Sequence, residues 1–194
     1  VDAATLTFAE KGFDVATTRE IAERAGCSEG LIHRYFGSKH GLLMAILRDK
    51  AANVRDIVQG NVAESDDLRT EIEALLLWSL DFMWEQRDFM RVITGRALID
   101  PEVGRFVGNV LNARRVQAFT ERIERHRAAG RVRDDADIET AAQALAGITF
   151  QAGFFLQVVF EMDRREVERI ARDAARAIAG MIAAPGPARA GRKR

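Results

Sequence analysis

What most restricts this chain is how little interrupts it. Only three prolines occur, at positions 101, 185 and 187, and no stretch alternates apolar with polar residues over strand length between turn signals. Without breakers and without a period of two, the regular structure open to it is helix. Gly12, Gly26 and Gly37 punctuate the beginning, and the spacing predicts short helices over about 1–11, 18–25 and 28–36. Longer helices are expected over about 38–59 and 68–84, with a loop at 60–66 between them. The second is apolar on nearly every face (Leu76, Leu77, Trp78, Leu80, Phe82, Met83, Trp84), which places it at the centre of a core. Asp100-Pro101-Glu102 reads as a helix start: Asp caps, Pro suits the first helical position and Glu complements the dipole. That helix is expected to stop at Gly130, with further helices over about 137–161 and 164–183 before Pro185-Gly186-Pro187 ends the fold. The expected class is all-α, about nine helices in total, with three short helices leading into a larger bundle.

A chain of 194 residues that is 47% hydrophobic can bury a sizeable core. Lys plus Arg and Asp plus Glu number 29 each, so bulk charge names no partner and any polyanion-binding surface must be local. Cys27 is the only cysteine and His33, His40 and His126 are widely spaced, so no metal-ligand set and no cofactor is expected, and the compartment expected is the reducing cytoplasm. No Ser/His/Asp arrangement and no phosphate-cradling glycine loop is found, which argues against an enzyme. Residues 140–160 are free of charge and long enough to cross a bilayer, yet Gln143, Gln151 and Gln157 interrupt them and acids flank them (Asp137, Glu139, Glu161). A buried helix, and no membrane partner, is the expectation. Apolar periodicity is already running at Val1, so further residues are expected ahead of it.

The short helices carry the functional signal. Thr17-Thr18-Arg19-Glu20 is a capping box, Ile21, Ala22 and Ala25 form an inner face, Gly26 supplies a left-handed turn, Cys27 is a small apolar group and Ser28 caps the third helix. Ile32 and Phe36 share that helix's inner face, giving the layout of a helix-turn-helix. Two short helices around a glycine also form ordinary packing corners. The outer face separates the two readings: Ser28, Glu29, Gly30, Leu31, His33, Arg34 and Tyr35 offer hydroxyl, imidazole, guanidinium and phenol groups where a major groove would be entered, with Thr18 and Arg19 opening the preceding helix. Lys39, beside the free amides of the next helix, suits a DNA phosphate.

Residues 1–47 resemble the N-terminal domain of the TetR family of bacterial transcriptional regulators. Phe8-Ala9-Glu10-Lys11-Gly12-Phe13, the run from Thr17 to Gly26, the Ser28-x-Gly30-x-Ile32-x-x-Tyr35-Phe36 spacing and Ser38-Lys39-x-x-Leu42-Leu43 occur in the family's order. There are departures: His33 stands where the family mostly has Tyr, Glu29 where a small, basic or Pro residue is more frequent, Leu31 where a small or polar one is, and His40-Gly41 replaces an acidic pair. Residues 1–50 hold seven cations and seven acids, so the domain is neutral where many DNA-binding domains are basic.

The resemblance implies a DNA-binding domain over 1–47 and a ligand-binding and dimerisation domain over 48–184, followed by 185–194, expected to be a basic disordered tail. It further implies a homodimer paired through the helices at about 137–161 and 164–183, a palindromic operator and a small-molecule effector, with repression the usual outcome. Small residues at Ala146, Gly147, Ala152 and Gly153, and a stripe of Ile170, Ala174, Ala177, Ile178 and Met181, fit the pairing. Trp78, Phe82, Met83, Phe89, Met90, Phe106, Val110, Phe150 and Phe154 are the candidate pocket lining for an apolar, ring-bearing ligand, with Gln151, Arg96 or Asn109 to orient it. A transcriptional activator, a constitutive DNA binder and a helical protein-interaction module are the alternatives.

Overall fold

The computed structural model describes residues 1–185; the basic tail expected at 185–194 lies almost wholly outside the described residues. Helices α1 (Asp2–Lys11), α2 (Thr18–Ala25) and α3 (Glu29–Phe36) lead into α4 (Lys39–Ala52) and α5 (Val54–Asn61), one rod broken at Asn53. Then come α6 (Leu68–Glu85), α7 (Arg87–Ile99), α8 (Pro101–Phe106), α9 (Ala113–Ala128), α10 (Ile138–Phe150) and α11 (Arg164–Ile182). A π-helical turn, Val107–Asn112, makes α8 and α9 one rod, and a second, Gln151–Val159, extends α10, so the described residues form nine rods. The all-helical expectation holds, and the one extended pairing among the described residues is a bridge between Val132 and Ala183. Acidic caps start the later helices: Asp67, Asp100, Asp137 and Asp163 each accept a first-turn amide.

Two apolar clusters form the interior. The lower one joins Ala4, Phe8, Ile21, Ala22 and Ile32 of the short helices to Leu42, Leu43, Ile46 and Leu47 of α4, and recruits Phe89, Ile93 and Val103 from α7 and α8. The upper one packs α6, α9, α10 and α11 through Leu75, Leu76, Leu80, Phe119, Leu145 and Ala175, with Val58 of α5. Each such buried Leu, Ile or Phe contributes roughly 1.5–3 kcal/mol. The α4–α5 rod thus touches both clusters, and its break falls between them.

The three-helix unit is tied to the bundle by polar contacts around Phe13. Lys39 Nζ lies 4.8 Å and the Arg96 guanidinium 4.6 Å from its ring centroid. Arg96 bonds Asp14 at 3.1 Å and Asp100 at 3.0 Å, while His40 Nε2 is 3.1 Å from the same Asp100. Arg96, expected to orient a ligand, is therefore a strut between the helix-turn-helix and α8. Helix Ile138–Val159 is long and apolar enough to cross a membrane by length and composition alone, and half of its most apolar stretch is buried inside the chain.

Candidate nucleic-acid interface

Local chemistry makes the corner. The capping box forms as its sequence requires: Thr17 Oγ1 accepts the Glu20 amide at 3.2 Å and Glu20 accepts the Thr17 amide at 3.0 Å. Lys11, 2.7 Å away, and these Thr17 bonds hold the Glu20 carboxyl down at about 2, so the cap stays ionised at ordinary pH. Gly26 takes φ 65°, and the Gly26 and Cys27 amides return to Glu23 and Ala22, closing a Schellman turn that only a residue at ease in the left-handed region closes without strain. Ile21, Ala22 and Ile32 are buried across the corner, Cys27 and Phe36 are half-buried, and Ala25, expected inside, is exposed.

On the outer face of α3 the side chains divide by what they already hold. Glu29 accepts from Thr18 Oγ1 at 2.5 Å and has His33 Nε2 at 3.7 Å, so it braces α3 against α2. His33 Nδ1 is 3.3 Å from the Gly37 carbonyl, and Arg19 pairs with Glu23 along α2 at 3.0 Å. Ser28, Gly30, Leu31, Arg34 and Tyr35 are exposed, Tyr35 to 72%. Among the described residues Ser28 makes no side-chain cap bond, and Arg34 and Tyr35 have no side-chain partner in the chain. These three present unused donors on one helix face.

Lys39 does not fit the phosphate-binding role expected of it. Its ammonium donates to the carbonyls of Phe13 at 2.7 Å, Asp14 at 3.0 Å and Ala16 at 2.8 Å, which uses all of its donors. The sequence placed Lys39 at a helix start facing outward; folding brings the α1–α2 loop over it. The helix-terminal amides remain, although Ser38 Oγ accepts that of Gly41 at 3.0 Å.

The residues expected to line a ligand pocket are dispersed. Trp78 stacks on Phe82 at 5.2 Å, beside the upper cluster, and Met83 is fully buried. Phe89, Met90 and Phe106 belong with the lower cluster instead, because α7 and α8 pack against the short helices. Phe150 and Phe154 stack at 5.5 Å, with Phe155 edge-on to both. Val110 is half-buried in the π-helical turn, while Asn109 and Gln151 are exposed. A cleft of about 520 Å³ is lined by Trp84, Arg91, Gln157, Val158, Met162 and Arg164, none of them on that expected list.

The last two rods carry an open face. Gln143, Ala144, Gly147 and Gln151 are exposed along α10 and its π-helical extension, as are Ala177, Gly180 and Met181 on α11. Gly147 and Gly180 have nothing within 4 Å of where a Cβ would stand. Gly153, by contrast, lies against Met83 of its own chain, where a Cβ would come within 2.9 Å of Cγ; Ala146, Ala152 and Ile178 also face inward. The small-residue pattern therefore serves two different surfaces.

Residues 1–46 match the family model for bacterial regulatory proteins, tetR family, and residues 80–186 that for the AefR-like transcriptional repressor C-terminal domain. The HTH-type transcriptional repressor AcnR of Corynebacterium diphtheriae is 29% identical over 88% of this chain and 84% of its own length. The HTH-type transcriptional regulator BetI of Cronobacter sakazakii is 38% identical over 40% of this chain, a match that spans 38% of that relative. A TetR-family transcriptional regulator from Mesorhizobium loti has a TM-score of 0.75 at 22% identity over 94% of both chains, and Salmonella enterica GusR one of 0.74 at 20% identity over 92% of both. At those identities the two structures speak to the fold.

Proposed function

This chain belongs to the TetR family of bacterial regulatory proteins, and on that premise we propose that it works as a cytoplasmic homodimeric repressor, reading a palindromic operator with α3 and released from it by a small ligand bound among the long helices. The observation that carries the reading is the face of α3 on which Ser28, Arg34 and Tyr35 keep their donors unpaired while the surrounding charges are satisfied within the chain. Arginine there suits a bidentate contact to guanine, and two such helices in a two-fold dimer would lie about 34–36 Å apart or a multiple of it. Repression is supported by the similarity to a protein named as a repressor. Ligand control is supported by the α4–α5 rod, whose two halves sit in different cores, so that a shift in the bundle would re-aim α3.

Arg34→Ala is expected to weaken operator binding by about 1–3 kcal/mol, roughly 5–150-fold, with the melting temperature unchanged. Lys39→Met should behave oppositely, lowering the melting temperature because three backbone carbonyls lose their donor. Mobility shifts on the DNA flanking the gene, alongside thermal melts, check both. Unchanged operator binding by folded Arg34→Ala together with Tyr35→Ala sinks the assignment of this face.

For the dimer, Gly147→Arg should give a folded monomer with reduced operator affinity, since its surroundings in the chain are open. Gly153→Arg should instead disrupt the subunit, because Met83 and the Ser79 carbonyl occupy the space. Sedimentation at micromolar concentration reads the difference. A monomeric wild-type chain would remove the pairing from the proposal.

A further inference from the structure

Helix α3 presents one anion, Glu29, at its first position. Every Cβ of an α-helix leans toward the N-terminus, so the side chain of the first residue projects past the helix start, the end that enters a major groove in a domain of this kind. Both of its contacts fall on a single oxygen. Thr18 Oγ1 donates to Oε1 at 2.5 Å, and His33 Nε2 stands 3.7 Å from the same atom. The brace therefore holds the carboxylate without exhausting it: Oε2 has no partner among the described residues, and the side chain keeps 43% of its surface exposed.

The Thr18 bond also fixes a direction. A free glutamate turns about each of its side-chain bonds, whereas this one is tied to the first residue of α2, across the corner that Gly26 closes. The bond has the short length of a charge-assisted hydroxyl–carboxylate pair. Oε2 is thus aimed before any duplex arrives, and little rotamer freedom remains to be lost on binding.

Duplex DNA limits what can meet that oxygen. Ser28, Arg34 and Tyr35 carry donors, and phosphates, guanine O6 and N7, adenine N7 and thymine O4 all accept. A carboxylate only accepts, and in the major groove the base donors are cytosine N4 and adenine N6. Adenine N6 is flanked by the acceptor N7, which repels a carboxylate; the edge of cytosine carries no acceptor beside N4. At any other base Glu29 gives up water without gaining a bond, next to a phosphate backbone that already repels it.

We propose that Glu29 is a specificity-determining residue: Oε2 accepts from N4 of a cytosine in each operator half-site, Thr18 is the positioning residue that aims it, and the carboxylate weakens binding to sequences that lack the cytosine. This rests on the DNA-reading role of α3 given above and adds one base and one penalty to it.

The test is selection from a random duplex library by the full chain, wild type and variants, followed by titration of the selected duplex and of an unselected one. The wild-type consensus should hold in each half-site a cytosine whose replacement costs about tenfold in affinity. Glu29→Gln keeps an acceptor for Thr18, and so the brace; it should lose that cytosine and gain adenine, whose N6 and N7 suit an amide, with the other positions unchanged. Its affinity for the unselected duplex should rise. Thr18→Val removes the hydroxyl and keeps the carboxylate, so cytosine should stay with a smaller preference. Glu29→Ala gives a second reading, loss of cytosine with no new base gained, and melting curves check that each variant is folded. A wild-type half-site without such a cytosine, a consensus that both Glu29 substitutions leave intact, or equal weakening of every sequence by Thr18→Val and Glu29→Gln makes Glu29 a brace only and overturns the proposal. Enrichment of no sequence by the wild type sinks sequence reading by α3 itself, which distinguishes failure of the parent reading from failure of this one.

Discussion

Glu71→Ala should lower the unfolding free energy by about 3–5 kcal/mol. Glu71 and His126 are each 1% exposed and Arg122 2%, and the Glu71 carboxylate is shared by Arg122, Arg125 and His126. Arg122 lies 3.1 Å from Oε1 and His126 Nε2 3.0 Å from Oε2, while Arg125 and the Ser65 amide also bond Oε2. Arg122 donates in addition to the Val62 carbonyl, and Arg125 to that of Ser65 at 3.0 Å. The cluster thus pins the α5–α6 loop to α9. Removing the carboxylate leaves the Arg122 guanidinium in low dielectric with no counter-charge, a cost far above that of an exposed ion pair, while Arg125, partly exposed, keeps Glu64 at 3.7 Å. Urea denaturation followed by circular dichroism measures it. Replacing Glu71 and Arg122 together by Leu and Met should recover much of the loss, since matched apolar groups leave less charge stranded. A Glu71→Ala midpoint within error of the wild type would contradict this account of the cluster.

Gly41→Ala is expected to cost about 1–3 kcal/mol and, with it, most operator binding. A Cβ at that position would stand 1.9 Å from the Phe36 carbonyl oxygen and 3.1 Å from its carbon, backbone atoms that cannot swing aside as a flexible side chain would. Relief requires the end of α3 and the start of α4 to part, which re-aims Arg34 and Tyr35. Gly60→Ala is the contrasting substitution: it sits in α5 with nothing within 4 Å and should stabilise the chain by roughly 0.5–1 kcal/mol through helix propensity alone. Melting curves together with operator titrations read both effects. If Gly41→Ala bound the operator normally, the close approach of α4 to Phe36 would not be what sets the recognition helix.

The Gly41 case marks one limit of a linear reading. His40-Gly41 looks like a poor helix start when judged by propensity and charge. In the fold, His40 Nε2 lies 3.1 Å from Asp100 and the missing side chain of Gly41 lets α4 approach Phe36. Lys39 and Arg96 are similar cases. Each is a long cation whose direction depends on a partner distant in sequence, and both converge on Phe13. Helix α7 had no start or stop residue strong enough to announce it; its first turn follows Gln86 without a side-chain cap. That Phe89, Met90 and Phe106 serve the lower core rather than a pocket follows from where α7 packs, and an aromatic stripe looks the same either way.

Sequence alone determined the helical class, the capping box at Thr17, the left-handed turn at Gly26 and the inner face of Ile21, Ala22 and Ile32, because each depends on interactions spanning no more than a few residues. The identity of the corner as a helix-turn-helix followed from those local elements and the polar face beside them. The tertiary structure decided which of those polar side chains remain unpaired, since Glu29 is taken by Thr18 and Lys39 by three carbonyls of a distant loop. It also decided that Gly153 faces Met83 while Gly147 faces outward. The reason is physical: hydrogen-bond donors and apolar surfaces are satisfied by whatever approaches in space, and that approach is set by packing among helices far apart along the chain.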